Sequence, residues 1–161
     1  MNVNDYNRCV DEHSDGLYRF LLKNIKDEEV ARDLVQESFM KLWIKKKEVE
    51  KEKSKSYLFT TGYHTMIDHI RKNSRNVSYE TVEYKEESYD RGYSDLKEVL
   101  NEAVDKLPED QKAVVLLRDY EGYSYKEIAD ITDLTESQVK VYIYRARLFL
   151  KKYIGSPDMV V

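Results

Sequence analysis

Apolar positions along this chain recur every three and four residues, the spacing of a helix with one buried face. Leu17, Phe20, Leu21 and Ile25 mark the first such face. Asp27 has the chemistry of an N-cap, and Glu28 and Glu29 follow where a helix N-terminus favours negative charge. The helix it opens carries Val30, Ala31, Leu34, Val35, Ser38, Phe39, Leu42 and Trp43, enough for one broad face. The charged run Lys45 to Lys55 predicts a solvated connection. A third helix starts near Ser56, passes through Tyr57, Leu58, Thr61, Met66, Ile67 and Ile70, and ends near Arg75.

The period resumes at Leu96, Val99, Leu100, Ala103, Val104 and Leu107, and Pro108 ends that helix while suiting the first turn of the next. Val114 to Leu117 carry the following helix as far as Glu121-Gly122. Ser124 with Glu127, and Thr135 with Gln138, then form two capping boxes eleven residues apart. Between them lies the pattern of helix, tight turn, helix. Ile128, Ala129, Ile131, Leu134, Val139, Ile143, Ala146 and Leu150 make its inward set.

Residues 76–94 break the period. From 76 to 107 there are four basic and nine acidic residues, so 76–94 reads as a flexible acidic linker. The prediction is an all-α chain of two small helical domains, 5–75 and 95–153.

Composition agrees with helices: five Gly, two Pro and 36% charged residues in 161. The single cysteine, Cys9, excludes an internal disulfide and fits a reducing compartment. The N-terminus lacks the basic and apolar regions of a signal peptide, and no run is long and apolar enough to span a membrane. A cytoplasmic protein is expected.

The net charge of −4 means that any nucleic acid must be bound by a local surface. From Ser137 to Tyr153 there are five basic residues and no acidic one. Outward positions there include Ser137, Lys140, Val141, Tyr144, Arg145 and Arg147. This fits a helix that enters the major groove, and it also fits a helical hairpin with a solvated basic face. The third helix mixes aromatic and basic residues (Tyr57, Tyr63, His64, Arg71, Lys72), a combination suited to single strands. His64 and His69 lie five apart, which does not place two ligands on one face, so no metal site is expected. Phosphate loops, zinc-protease motifs and nucleophile elbows are absent from the sequence. No cofactor or small-molecule substrate is expected, nor enzymatic activity.

Three stretches taken together resemble bacterial RNA polymerase sigma factors of the extracytoplasmic-function type, within the sigma-70 family. Asp33-Leu-Val-Gln-Glu-Ser-Phe-Met-Lys-Leu-Trp43 is similar to the core-polymerase-binding helix of region 2. Tyr57 to Arg71 is similar to the segment that recognises and opens the −10 element. Leu107-Pro-Glu-Asp-Gln, Glu121 to Ala129, and Val139 to Arg147 are similar to region 4, which binds the −35 element. The resemblance spans about residues 15–153.

It implies docking on core RNA polymerase through Asp33, Gln36, Glu37, Met40 and Trp43. The −10 strand would meet Tyr57, Tyr63, His64, Asp68, Arg71 and Lys72. At the −35 element, Lys140, Val141, Tyr144 and Arg145 would face the groove, with Ser137 beside them and Arg147 on phosphate. Promoter DNA and an anti-sigma factor are the further partners implied. Val141 and Tyr142 stand where the family usually has a small polar and a basic residue, which favours apolar contact with a thymine methyl. The competing reading is an autonomous helix-turn-helix regulator, which has no need of a polymerase-docking helix. A protein-binding helical adaptor is the third.

Overall fold

A computed structural model describes residues 1–76 and 95–155, so the predicted linker lies outside the described residues apart from Asn76. All regular structure in the described residues is helical. In chain order the helices are α1 (Val3–Ile25), α2 (Glu28–Lys45), α3 (Ser54–Asn76), α4 (Asp95–Asp105), α5 (Glu109–Val115), α6 (Tyr125–Thr132) and α7 (Glu136–Ile154).

α1 starts well before the apolar face at Leu17. Asn2 caps it: its side chain accepts from the Asp5 amide at 2.8 Å, and the Asp5 carboxylate accepts from the Asn2 amide. This is a capping box written with Asn and Asp instead of Ser and Glu. Asp27 caps α2 as expected, accepting from the amides of Glu29 and Val30. The connection after α2 is not solvated throughout. Val49 is buried and pins it, a short 3₁₀ turn spans Lys51–Lys53, and α3 begins at Ser54.

α3 is the central helix of the first half and packs against α1 and α2. Leu58, Phe59 and Met66 are buried along it. Gly62 marks the close approach to α1, since a Cβ there would lie 2.8 Å from Leu17 Cδ1. Ser38, fully buried, satisfies its hydroxyl by donating to the Leu34 carbonyl at 2.7 Å.

In the second half Pro108 is the N-cap of α5, one position earlier than its predicted place in the first turn. α5 runs into a π-helical turn, Leu116–Tyr120, and Gly122 reverses the chain at φ +74°. α6 and α7 then form the two-helix motif. Ile128, Ile131, Val139, Ile143 and Ala146 are buried; Ala129, Leu134 and Leu150 are half-buried.

The buried residues of both halves form one continuous cluster. Tyr123, just after the π turn, sets its ring 5.3 Å from that of Phe59, with the Lys55 ammonium 4.7 Å from the ring centre. The Tyr123 hydroxyl is buried without a hydrogen-bond partner among the described residues, and burial pushes its pKa far up. Arg19 grips Glu121 with two hydrogen bonds of 2.9 Å. Lys112 is buried between the halves, donating to the Asn24 carbonyl at 3.1 Å with Asp105 at 3.5 Å; Asp105 also meets Lys26 at 3.2 Å. Burial pulls the Lys112 ammonium below its usual range, and Asp105 partly offsets this.

The Arg19–Glu121 pair is bidentate and its carboxylate side chain is only 8% exposed, so it should exceed the roughly 0.2–1 kcal/mol of an open surface pair. Arg19→Glu and Glu121→Arg are each expected to enlarge the radius of gyration measured by small-angle scattering, and the double exchange to restore it. Unchanged scattering for both single variants would rule the pair out as a tie between the halves.

Candidate nucleic-acid interface

α7 owes its exposed face to the way its other side is anchored. Thr135 accepts from the Gln138 amide at 3.1 Å, and Gln138 accepts from the Thr135 amide at 2.9 Å. Ser124 and Glu127 do the same for α6. Asp133, in the left-handed region at φ 61°, makes the turn between them. With Val139, Ile143 and Ala146 turned inward, Ser137, Lys140, Val141, Tyr144 and Arg145 are all exposed, Tyr144 at 68%. The structure therefore brings together the whole predicted groove-facing set. Arg147 is at its flank, where Nη2 donates to Asp119 Oδ1 at 2.6 Å. Lys140 lies 3.8 Å from Glu136 and 5.7 Å from the Tyr125 ring centre.

The −10 candidates divide. Tyr57, His64, Asp68 and Arg71 recur at seven, four and three along α3 and share one strip, with Lys72 beside it. Tyr57 is half-buried and the others are exposed. Tyr63 lies about a quarter turn away and is only 7% exposed. Burial first, then Asp110 and Glu109, push its hydroxyl pKa up. His64 keeps its ring 5.3 Å from that of Tyr63. Next to Tyr57 a hollow is lined by Lys45, Val49, Glu50 and Lys53. This hollow is not legible from the amino-acid pattern, because a lone valine among charged residues carries no period.

α2 is apolar on two opposite sides. Ala31, Leu34, Ser38 and Leu42 face the core, while Met40 (58% exposed), Trp43 (42%) and Ile44 (70%) face out. Asp33 and Gln36 are exposed and Glu37 half-buried on that outer side. Between α1 and α2 runs a groove lined by Tyr6, Val10, Val35, Phe39, Met40 and Trp43. Tyr6 fixes its floor, with its ring 4.9 Å from that of Trp43 and its hydroxyl donating to the Phe39 carbonyl at 3.1 Å. Ile44 was missed by the sequence reading. It stands four residues after Met40, but a run of lysines follows it. Among the described residues no cluster of His, Cys, Asp and Glu has metal-binding geometry, and no helix is long and apolar enough to cross a membrane.

The described residues thus combine a helix-turn-helix with an open basic face, an aromatic and basic strip on a second helix, and an apolar outer face on a third. The family profile described as Sigma-70 region 2 matches residues 9–76, and that described as Sigma-70, region 4 matches residues 97–150. The chain is 31% identical over 154 residues to the RNA polymerase sigma factor SigV of Bacillus subtilis, covering 94% of this chain and 92% of that one. It is 29% identical to the ECF RNA polymerase sigma factor SigM of the same organism, covering 86% and 88%. Among solved structures, the sigma factor RpoE in complex with the anti-sigma factor NepR from Bartonella quintana superposes with a TM-score of 0.78 at 25% identity, covering 96% and 99%. The chain belongs to the sigma-70 family and is an ECF-type sigma factor, a non-enzymatic subunit that directs RNA polymerase to promoters. The match to region 2 decides against an autonomous helix-turn-helix regulator.

Bonds from the Ser124 backbone and side chain hold the Glu127 carboxyl below its usual pKa. A lowered folded pKa gives stability that is present above the unfolded value and is lost as pH falls through the folded one. Ser124→Ala removes the side-chain bond and keeps the backbone one, so it is expected to cost about 1 kcal/mol and to flatten only part of the loss of stability on acidification below pH ~4.3. Chemical denaturation as a function of pH checks both, and an unchanged midpoint would show that the cap contributes nothing.

Proposed function

We propose that three surfaces divide the work of a sigma factor in this chain. The outer face of α2, with Asp33, Gln36, Glu37, Met40, Trp43 and the added Ile44, docks on core polymerase. Its large exposed apolar side chains ringed by charge have the make-up of a protein interface. The strip of Tyr57, His64, Asp68, Arg71 and Lys72 on α3 takes the single-stranded −10 element, with stacking surfaces and cations along one line. The hollow beside Tyr57 suits an unstacked base. Lys140, Val141, Tyr144 and Arg145 enter the major groove at the −35 element, with Ser137 at its edge. The observation that carries this reading is the simultaneous exposure of all four groove-facing residues above a buried Val139–Ile143–Ala146 seam.

Geometry adds a condition. Elements named −10 and −35 are about 25 base pairs apart, roughly 85 Å at 3.4 Å per pair. A compact chain of this length has a radius of gyration of only about 15 Å. With α6 packed on α3, one molecule does not reach both elements, and Tyr63 is covered. The halves therefore separate when polymerase and promoter are engaged. The closed form suits an anti-sigma partner, such as the one that accompanies the superposed RpoE. Work on polymerase places the protein in the cytoplasm.

Met40→Asp combined with Ile44→Asp is expected to reduce retention on immobilised core polymerase at least tenfold, a loss of about 1.4 kcal/mol, without unfolding, because both side chains are in solvent. Full retention would refute the docking face. Lys140→Ala with Arg145→Ala is expected to lower run-off transcription from promoters found by start-site mapping. The loss should vanish on templates whose −35 element has been scrambled, and equal activity on intact templates would remove both residues from the groove.

A further inference from the structure

Acidic side chains sit among the cations of α7. Arg147 donates to Asp119 at 2.6 Å, although the two residues are 28 apart in sequence. Asp119 lies in the π-helical turn that ends α5. In that turn the hydrogen bonds run one residue further than in an α-helix, as in the 3.1 Å bond from the Glu121 amide to the Leu116 carbonyl, and Asp119 leaves it against α7. The neighbouring Arg118 is committed as well, donating to the Tyr123 carbonyl at 2.9 Å with its guanidinium 4.5 Å from the Tyr125 ring centre.

A Lys or Arg free to pair with phosphate adds affinity for any duplex and steepens its salt dependence. A cation already paired adds less, because phosphate has to displace its carboxylate. We propose that Asp119 is a specificity-determining residue of the −35 interaction: it holds Arg147 on the protein, so that α7 discriminates through Val141, Tyr144 and Arg145 rather than through backbone grip. The proposal rests on α7 being the groove helix. Both partners are partly exposed, Arg147 at 50% and Asp119 at 39%. The restraint is therefore that of a surface pair, a factor of up to about five in affinity.

The test uses the full chain as wild type, Asp119→Asn, Arg147→Ala and the double variant. Binding to a labelled duplex of arbitrary sequence is followed by fluorescence anisotropy over a range of salt. Asp119→Asn is expected to bind up to about fivefold tighter at low salt, with the log–log salt slope steeper by about one. The gain is expected to disappear in the double variant. Unchanged or weaker binding by Asp119→Asn overturns the proposal, and so does a gain that persists without Arg147, which reports only the lost negative charge. In holoenzyme, Asp119→Asn is expected to initiate at more sites with divergent −35 sequences, and an unaltered set of start sites counts against it. If Lys140→Ala with Arg145→Ala leaves −35-dependent transcription intact, the groove assignment itself fails. If that assignment holds while Asp119→Asn is inert, only this proposal does.

Discussion

A helix has one circumference, and α3 has to divide its own among three neighbours. Leu58 and Met66 go to the core of the first half, Gly62 lets α1 come close, and Phe59 receives Tyr123 from the second half. What remains is the narrow strip through Tyr57, His64, Asp68 and Arg71. His64, Asp68 and Arg71 are exposed because packing has no use for their side of the helix, while Tyr57 is half-buried against the core. Tyr63 falls on the border and serves packing while the halves are together. A bulkier residue at position 62 would collide with the buried Leu17 side chain and crowd the α1–α3 contact.

Where the sequence carried periodicity and caps, the fold was legible. The two boxes at Ser124 and Thr135 fixed the helix-turn-helix, and the inward set between them is buried or half-buried as expected. The start of α1 was missed because Asn2 and Asp5 perform a capping role that sequence rules seek in Ser and Glu. Val49 is the apolar anchor of the α2–α3 connection, and a single apolar residue among charges has no spacing to read. Pairings across long sequence separations were invisible for a different reason. Nothing local tells Arg147 that Asp119 will be its neighbour, or Arg19 that Glu121 will be.

The interface residues show the same division. The α7 face was legible because a recognition helix is defined by what it does not bury. The outer face of α2 was half legible: the resemblance named Met40 and Trp43, the apolar period had put Trp43 on the buried face although it is 42% exposed, and Ile44 was masked by the lysines after it. The outer side of α2 interleaves its apolar side chains with charge from the same helix, including Lys41, which reaches both Glu37 and Thr65. The acidic balance of the chain follows the same logic. On α7, Lys140 and Arg147 each have a carboxylate partner on the protein, Glu136 and Asp119.

Tyr123 packs between the halves with a hydroxyl that no group among the described residues meets. A buried hydroxyl forfeits its bonds to water, at about 1–3 kcal/mol, while its ring gains by leaving water. Parting the halves reverses both terms, rehydrating the hydroxyl as it exposes the ring. A phenylalanine in its place is expected to hold the halves more tightly, since opening would then rehydrate no hydroxyl.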